Sequence, residues 1–178
     1  GQVPLYYAHR STGKPASQAS FLHIDDIAAR TPQAGLKNAS QYLDAGYAPL
    51  YEFGYGLSYT SFTYADIAVA PTRARVGVPI SVRAVVRNVG QVAGDEVAQL
   101  YVRDLVGSVT RPVRELKGFQ RIHLEPGESR EVAFQLSADD LAFYGRDLTR
   151  AVEPGSFHVW IGGSSSADLR ADFELTAD

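Results

Sequence analysis

From Ile80 onward, apolar residues recur at every second position in one segment after another. Ile80, Val82, Ala84 and Val86 alternate with Ser81, Arg83 and Arg87. Val132, Phe134 and Leu136 stand against Glu131 and Gln135, and Leu169, Ala171, Phe173 and Leu175 against Arg170, Asp172 and Glu174. Phe157, Val159 and Ile161 make a further run. Side chains two apart share one face of a strand, so each segment has one face to bury and one to show to water. Strands of this kind have few ways to satisfy themselves: they pair edge to edge and stack their apolar faces.

The rest of this half fits the same plan. Val97 to Arg103, with Ala98, Leu100 and Val102, is apolar on both faces and is expected between two neighbours. Phe62, Tyr64, Ile67 and Val69 form a first strand whose phase slips near Asp66, which a β-bulge explains. Glu125-Pro126-Gly127-Glu128 carries Pro then Gly at its two central positions, a type II turn signal. It is expected to join a short strand ending at Ile122 and Leu124 to the one starting near Arg130 as a hairpin, and Glu153-Pro154-Gly155-Ser156 to make a second such turn. Ser137 stands three residues before Asp140, ahead of Leu141 and Phe143, as in a capping box. The count is about seven strands, which predicts an all-β, immunoglobulin-like sandwich.

The first part of the chain is different. Eight of the ten tyrosines lie in residues 1–64. Pro4, Gly13 and Pro15 make Gly1 to Ser20 extended coil. Phe21 to Arg30, ending before Pro32, and Leu36 to Leu43 are the two candidate short helices. Tyr51, Phe53, Tyr55 and Tyr59 crowd around Gly54 and Gly56. Such a stretch has no periodic face from which to build a core, so it is expected to pack on something else. The expected division is residues 1–60 as an extension or linker and 61–178 as the sandwich.

Composition narrows the function. With 45% apolar and 21% charged residues, the chain is ordinary globular protein. A net charge of -3 argues against a nucleic-acid partner. The chain has no cysteine, so disulfides and thiolate metal sites are excluded. No apolar run approaches the roughly 20 residues of a membrane helix, and no signal peptide stands at the start. Methionine is absent, and the chain is read as a piece or processed product of a longer polypeptide.

Six segments carry a resemblance. Phe53-Gly54-Tyr55-Gly56-Leu57-Ser58-Tyr59-Thr60 is similar to a signature of family 3 glycoside hydrolases that precedes their C-terminal fibronectin type III-like domain. Val86 to Asp104, Arg111 to Phe119, Asp140 to Tyr144 and Pro154 to Gly162 resemble successive parts of that domain, and Val3 to Pro15 resembles the tail of the preceding α/β domain. Glu52 departs from the usual Pro, and the stretch from Ser17 to Asn38 is longer than usual. The resemblance implies a fibronectin type III-like sandwich and a parent of β-glucosidase type, acting on terminal β-D-glucosyl residues. That parent retains configuration through a nucleophilic Asp and an acid/base Glu, both upstream of this chain. No catalytic residue carries over, and the chain alone is expected to be inactive. No cofactor or metal is implied. The implied partners are the upstream catalytic domains of the same polypeptide, and the implied location is periplasmic or secreted.

A retaining glycosidase needs two carboxyl groups about 5–5.5 Å apart in a sugar-sized cleft. Asp95-Glu96 is read as a solvent-facing strand start and Asp139-Asp140 as helix capping. Ser58 lacks the closing glycine of a nucleophile elbow, and Gly54-Tyr55-Gly56 lacks the third glycine of a dinucleotide motif. His9, His23, His123 and His158 lack zinc-ligand spacing. Trp160, Tyr51 and Tyr55 are the candidate contacts, either for a neighbouring domain or for a sugar ring. Trp160 is expected on the face opposite Phe157, Val159 and Ile161, where an exposed ring would support the alternative of a carbohydrate- or surface-binding module reading glucan or oligosaccharide.

Overall fold

In the computed structural model, residues 23–30 and 49–177 are described. The chain falls into two compact units, Gly1–Tyr51 and Glu52–Asp178. Among the described residues of the first, a 3-10 turn, Ile24–Asp26, stands where the longer helix from Phe21 to Arg30 is expected. The His23 ring caps it by accepting from the Asp25 amide at 3.2 Å. Ile27 is already extended, and Arg30 takes a left-handed φ of 67°, so the helix does not propagate. The expected helix at Leu36 to Leu43 and the coil at Gly1 to Ser20 lie outside the described residues.

The second unit is a β-sandwich. Its elements in chain order are β1 (Phe62–Ala70), β2 (Arg73–Arg75), β3 (Ile80–Asn88), β4 (Gly94–Asp104), β5 (Glu115–Leu124), β6 (Ser129–Leu136), a one-turn helix α1 (Ala138–Leu141), β7 (Phe143–Tyr144), β8 (Arg150–Ala151), β9 (Gly155–Gly162) and β10 (Arg170–Thr176). One sheet has the order β1-β3-β6 and the other β2-β10-β9-β4-β5, with β7 and β8 as a small separate ribbon. The seven longer strands supply the count that the alternation predicts; β2, β7 and β8 are two or three residues each.

The alternating residues meet between the sheets. Ile80, Val82, Val86, Leu100, Leu124, Val132, Leu136, Val159 and Ile161 are all essentially inaccessible to solvent. Each side chain buried in this way contributes roughly 1.5–3 kcal/mol. The β1–β3 register shifts between Ala65 and Ala68, and Asp66 adopts a positive φ of 55°. The phase slip in the sequence is therefore a bulge. Ser137 and Asp140 close the capping box reciprocally: the Ser137 amide donates to Asp140 Oδ2 at 2.7 Å and the Asp140 amide to Ser137 Oγ at 3.4 Å.

Two turn expectations need correction. Gly127 has a φ of 80° and the Glu128 amide reaches the Glu125 carbonyl at 2.9 Å, as a type II turn requires. The turn is not a hairpin, however. β5 pairs with β4 and β6 pairs with β3, so the chain crosses here from one sheet to the other. Ile122 and Leu124 on one side and Val132 on the other both have to face the interior, which an arch allows. β5 is also a ten-residue strand rather than a short one. At the second Pro-Gly pair, Gly155 is the first residue of β9, in register with Leu175, and is not in the left-handed region.

Candidate functional site

The outward face of the larger sheet is where the molecule departs from a simple sandwich. Positions 97, 99 and 101 of β4 point away from the core, yet Gln99 and Tyr101 are buried. A buried amide and phenol need partners, because an unpaired polar group away from water costs roughly 1–3 kcal/mol. The partners are the two side chains themselves, the Gly163 carbonyl and main-chain carbonyls of the segment Phe53–Thr60, the strap. Gln99 Nε2 donates to the Gly54 carbonyl at 3.0 Å and to the Gly163 carbonyl at 2.5 Å. The Tyr101 hydroxyl donates to Gln99 Oε1 at 2.5 Å, with the Phe53 carbonyl 3.3 Å away as a second acceptor. The Phe53 carbonyl also accepts from the Ser165 amide at 2.8 Å.

This contact requires glycine at position 54. Its φ is +80°, and a Cβ there would stand 2.0 Å from Gln99 Oε1. No other residue type lets the backbone approach the amide so closely.

A second buried amide holds the other end of the strap. Asn88, at the end of β3, is completely buried. Its Nδ2 donates to the carbonyls of Val92 (2.8 Å) and Leu124 (3.0 Å). Its Oδ1 accepts from Thr60 Oγ1 at 2.7 Å and from the Gly90 amide at 3.0 Å. All four hydrogen-bonding positions of the side chain are used. The Val89 amide adds a bond to the Ser61 carbonyl at 2.8 Å.

The strap is held through the Phe53 and Gly54 carbonyls at one end and the Thr60 hydroxyl at the other, and its aromatic and leucine side chains turn out. Relative exposures are 56% for Phe53, 47% for Tyr55, 90% for Leu57 and 102% for Tyr59. Beside them runs a groove of about 930 Å³, whose walls include Tyr55 and Leu57 from the strap, Val97 and Phe119 from the sheet, and Glu96. Inside the rim, Tyr64 of β1 donates to Glu96 of β4 at 2.8 Å, tying the two sheets together. Burial, then the negative charge of Glu96 and this hydrogen bond, push the Tyr64 phenol well above the usual tyrosine range.

Trp160 does sit opposite Phe157, Val159 and Ile161, but it is not an exposed platform. It is 6% exposed. The Arg114 guanidinium covers the ring at 4.1 Å from its centroid, and His158 meets it edge-on at 5.6 Å. The same guanidinium nitrogen of Arg114 donates to the carbonyls of Ser165 (2.6 Å) and Ala167 (2.8 Å), so the stack also fixes the loop after β9. Tyr55 lines the groove; Tyr51 and Trp160 do not. Tyr51 belongs to the first unit and is exposed.

The remaining candidates have structural partners. Asp95 pairs with Arg121 and, at 2.8 Å, with His123. Hydrogen bonds from Arg121 and then His123 hold its carboxyl below the usual carboxylate range. Asp139 pairs with Arg150 at 2.7 Å and Asp140 belongs to the cap. His158 pairs with Asp172 at 2.6 Å. Ser58 Oγ accepts from the Thr60 amide at 3.3 Å, within the strap. His9 lies outside the described residues. Among the described residues, no group of three or more His, Asp or Glu side chains gathers as metal ligands would, and no helix is long and apolar enough to cross a membrane.

Reading the sequence alone does not single out Gln99, Tyr101, Asn88 or Arg114. The available signal is the double-sided apolar character of Val97 to Arg103: a strand with no face for water, at the sheet surface, has something lying on it.

Strand order and sandwich packing define a fibronectin type III-like domain, and the family of that description matches residues 96–165. The chain is 39% identical over 176 residues to the periplasmic beta-glucosidase of Salmonella typhimurium, covering 98% of this chain and 21% of that protein. A beta-xylosidase of Formosa agariphila is 45% identical over 136 residues, 76% of this chain and 19% of that protein. The crystal structure of the beta-glucosidase from Listeria innocua in complex with glucose superposes with a TM-score of 0.80 at 32% identity, covering 98% of this chain and 22% of that one. The chain belongs to the family 3 glycoside hydrolases of β-glucosidase type, in which it corresponds to the C-terminal region carrying the fibronectin type III-like domain. It spans about a fifth of the length of these relatives.

Proposed function

We propose that this chain is a non-catalytic accessory region that stabilises the catalytic domains of a longer glycoside hydrolase. In this reading residues 1–60 pack on the preceding α/β domain and residues 61–178 form the brace. The reaction of the parent is hydrolysis of terminal β-D-glucosyl residues, with the nucleophile and the acid/base both upstream of residue 1. The relatives named β-glucosidases support that choice of substrate, and the one named periplasmic supports a periplasmic or secreted location.

The observation that carries the reading is the strap. Phe53, Leu57 and Tyr59 are each more than half exposed, although the strap is bonded down at one end through the Phe53 and Gly54 carbonyls and at the other through the Thr60 hydroxyl. Large apolar side chains exposed together in one short segment support an interaction site there. The carbohydrate-binding alternative has weaker support, because Arg114 covers the ring of Trp160 that it relied on. Retention of the isolated chain on insoluble glucan, lost on changing Tyr55 to Ala, would restore it.

The test is to truncate the parent before residue 1. The expected result is a parent with a lowered Tm or one that aggregates, while this chain alone gives no turnover of an aryl β-glucoside above background. A truncated parent with unchanged Tm and activity would overturn the proposal.

A further inference from the structure

Two stretches far apart in sequence each hold residues with no evident purpose until they are placed side by side. The strap supplies Gly54, whose conformation and lack of a Cβ let its carbonyl reach Gln99, and Thr60, whose hydroxyl reaches Asn88. The segment from Asn88 to Tyr101 supplies the complement. Asn88, Gln99 and Tyr101 are buried polar side chains aimed at the strap. Gly90 is needed because a Cβ on it would stand 2.1 Å from Thr60 Oγ1. The bonds fall at the two ends of the strap, and those to Phe53 and Gly54 read only carbonyl oxygens.

We propose that Gln99, Tyr101 and Asn88 form a latch that makes Phe53–Thr60 a fixed part of the sandwich. The strap is thereby a preformed ridge, presenting Phe53, Tyr55, Leu57 and Tyr59 to the preceding part of the same polypeptide. The choice of occupant rests on the accessory reading above. Its grounds are that this chain covers only 21% of a relative that matches it along 98% of its own length, and that the strap lies immediately before β1, where the polypeptide passes into the sandwich. The latch itself is a property of this chain alone. A ridge already ordered loses less conformational entropy on docking than a loose linker would.

The test uses amide hydrogen exchange on this chain. The Ser165 amide, bonded to the Phe53 carbonyl, reports the Gln99 end, and the Val89 amide, bonded to the Ser61 carbonyl, reports the Asn88 end. The amides of β3 between Ser81 and Val86 report the core. In Gln99→Leu, Ser165 exchange is expected to rise about tenfold while the β3 amides keep their protection. Gly54→Ala attacks the same contact from the strap side and gives the same result if the latch is real. Leu57→Ser, which removes only an outward side chain, leaves Ser165 exchange unchanged.

The latch is overturned if Ser165 exchange is unchanged in both latch variants, or if the β3 amides speed up by the same factor as Ser165. The ridge is tested by adding the chain back to the truncated parent. Wild type restores Tm, whereas Leu57→Ser and Gln99→Leu restore less; equal restoration by all three removes the docking surface and leaves the latch intact. A truncated parent that needs no restoration removes the accessory reading instead.

Discussion

The interior of the sandwich and the joint beneath the strap are both buried, yet different forces hold them. Inside, Val82, Leu100, Val159 and Ile161 lose water by packing against one another, a non-directional gain proportional to area. At the joint, Gln99, Tyr101 and Asn88 are held by bonds of defined length to particular backbone atoms. The interior tolerates a change of one apolar residue for another of similar volume. The joint does not, because a lost partner leaves part-buried carbonyls without a donor. The same difference explains the surface. A segment attached by its side chains hides them, whereas one attached by its backbone has them left over for another partner.

Substitutions on the two sides separate these forces. The largest effect is expected in the interior. Ile161→Ala removes a fully buried side chain between the sheets and is expected to cost about 2–5 kcal/mol in urea unfolding; a cost under about 1 kcal/mol would mean that the sheets are not packed through this residue. Gln99→Leu keeps apolar volume but strands the Gly54 and Gly163 carbonyls, and is expected to cost about 1–3 kcal/mol. If it proved neutral, the joint would be held by apolar contact like the interior, and the contrast would fail.

Tyr64 lies between the two regimes, since its ring packs against the core while its hydroxyl bonds to Glu96. Burial and the Glu96 carboxylate raise its pKa above the ordinary tyrosine value of about 10. The folded state then keeps a proton that the unfolded chain releases. The stability linked to this group is complete below the ordinary tyrosine range and declines as pH rises above it. Unfolding between pH 8 and 11 is expected to show a decline in the wild type that is shallower in Tyr64→Phe. Identical pH profiles would mean that the phenol ionises as readily folded as unfolded.

How much was readable from the sequence follows the same division. The period-two runs at Ile80–Val86, Val132–Leu136 and Phe173–Leu175 mark the interior because burial acts on residue type at regular spacing. The bulge at Asp66 and the cap at Ser137 are local and leave local marks. The arch at Glu125–Glu128 is not legible as an arch, because a Pro-Gly turn has the same local chemistry whether the strands it joins pair or diverge. The joint was invisible for a further reason. It links Gly54 to Gln99 by a side-chain-to-backbone bond and Thr60 to Asn88 by a bond between side chains, and hydrogen bonds across such distances impose no period. Trp160 was correctly assigned to the outer face, but its cover by Arg114 is a tertiary contact across 46 positions, which no strand pattern encodes.

The smallest expected effect is the most discriminating. Leu57 is 90% exposed in the strap, and the bonds that latch the strap, at Phe53, Gly54 and Thr60, do not involve it. In this chain alone Leu57→Ser is expected to change stability by no more than about 0.5 kcal/mol, as for an ordinary surface site. In the parent the same change removes apolar area from a docked ridge, at roughly 25 cal/mol per Å² of surface that would have been buried, and a drop in Tm is expected there. A residue that matters only when the rest of the polypeptide is present belongs to an interface between domains. A residue that matters equally in both settings belongs to the sandwich, and that outcome would place Leu57 on the wrong side of the comparison.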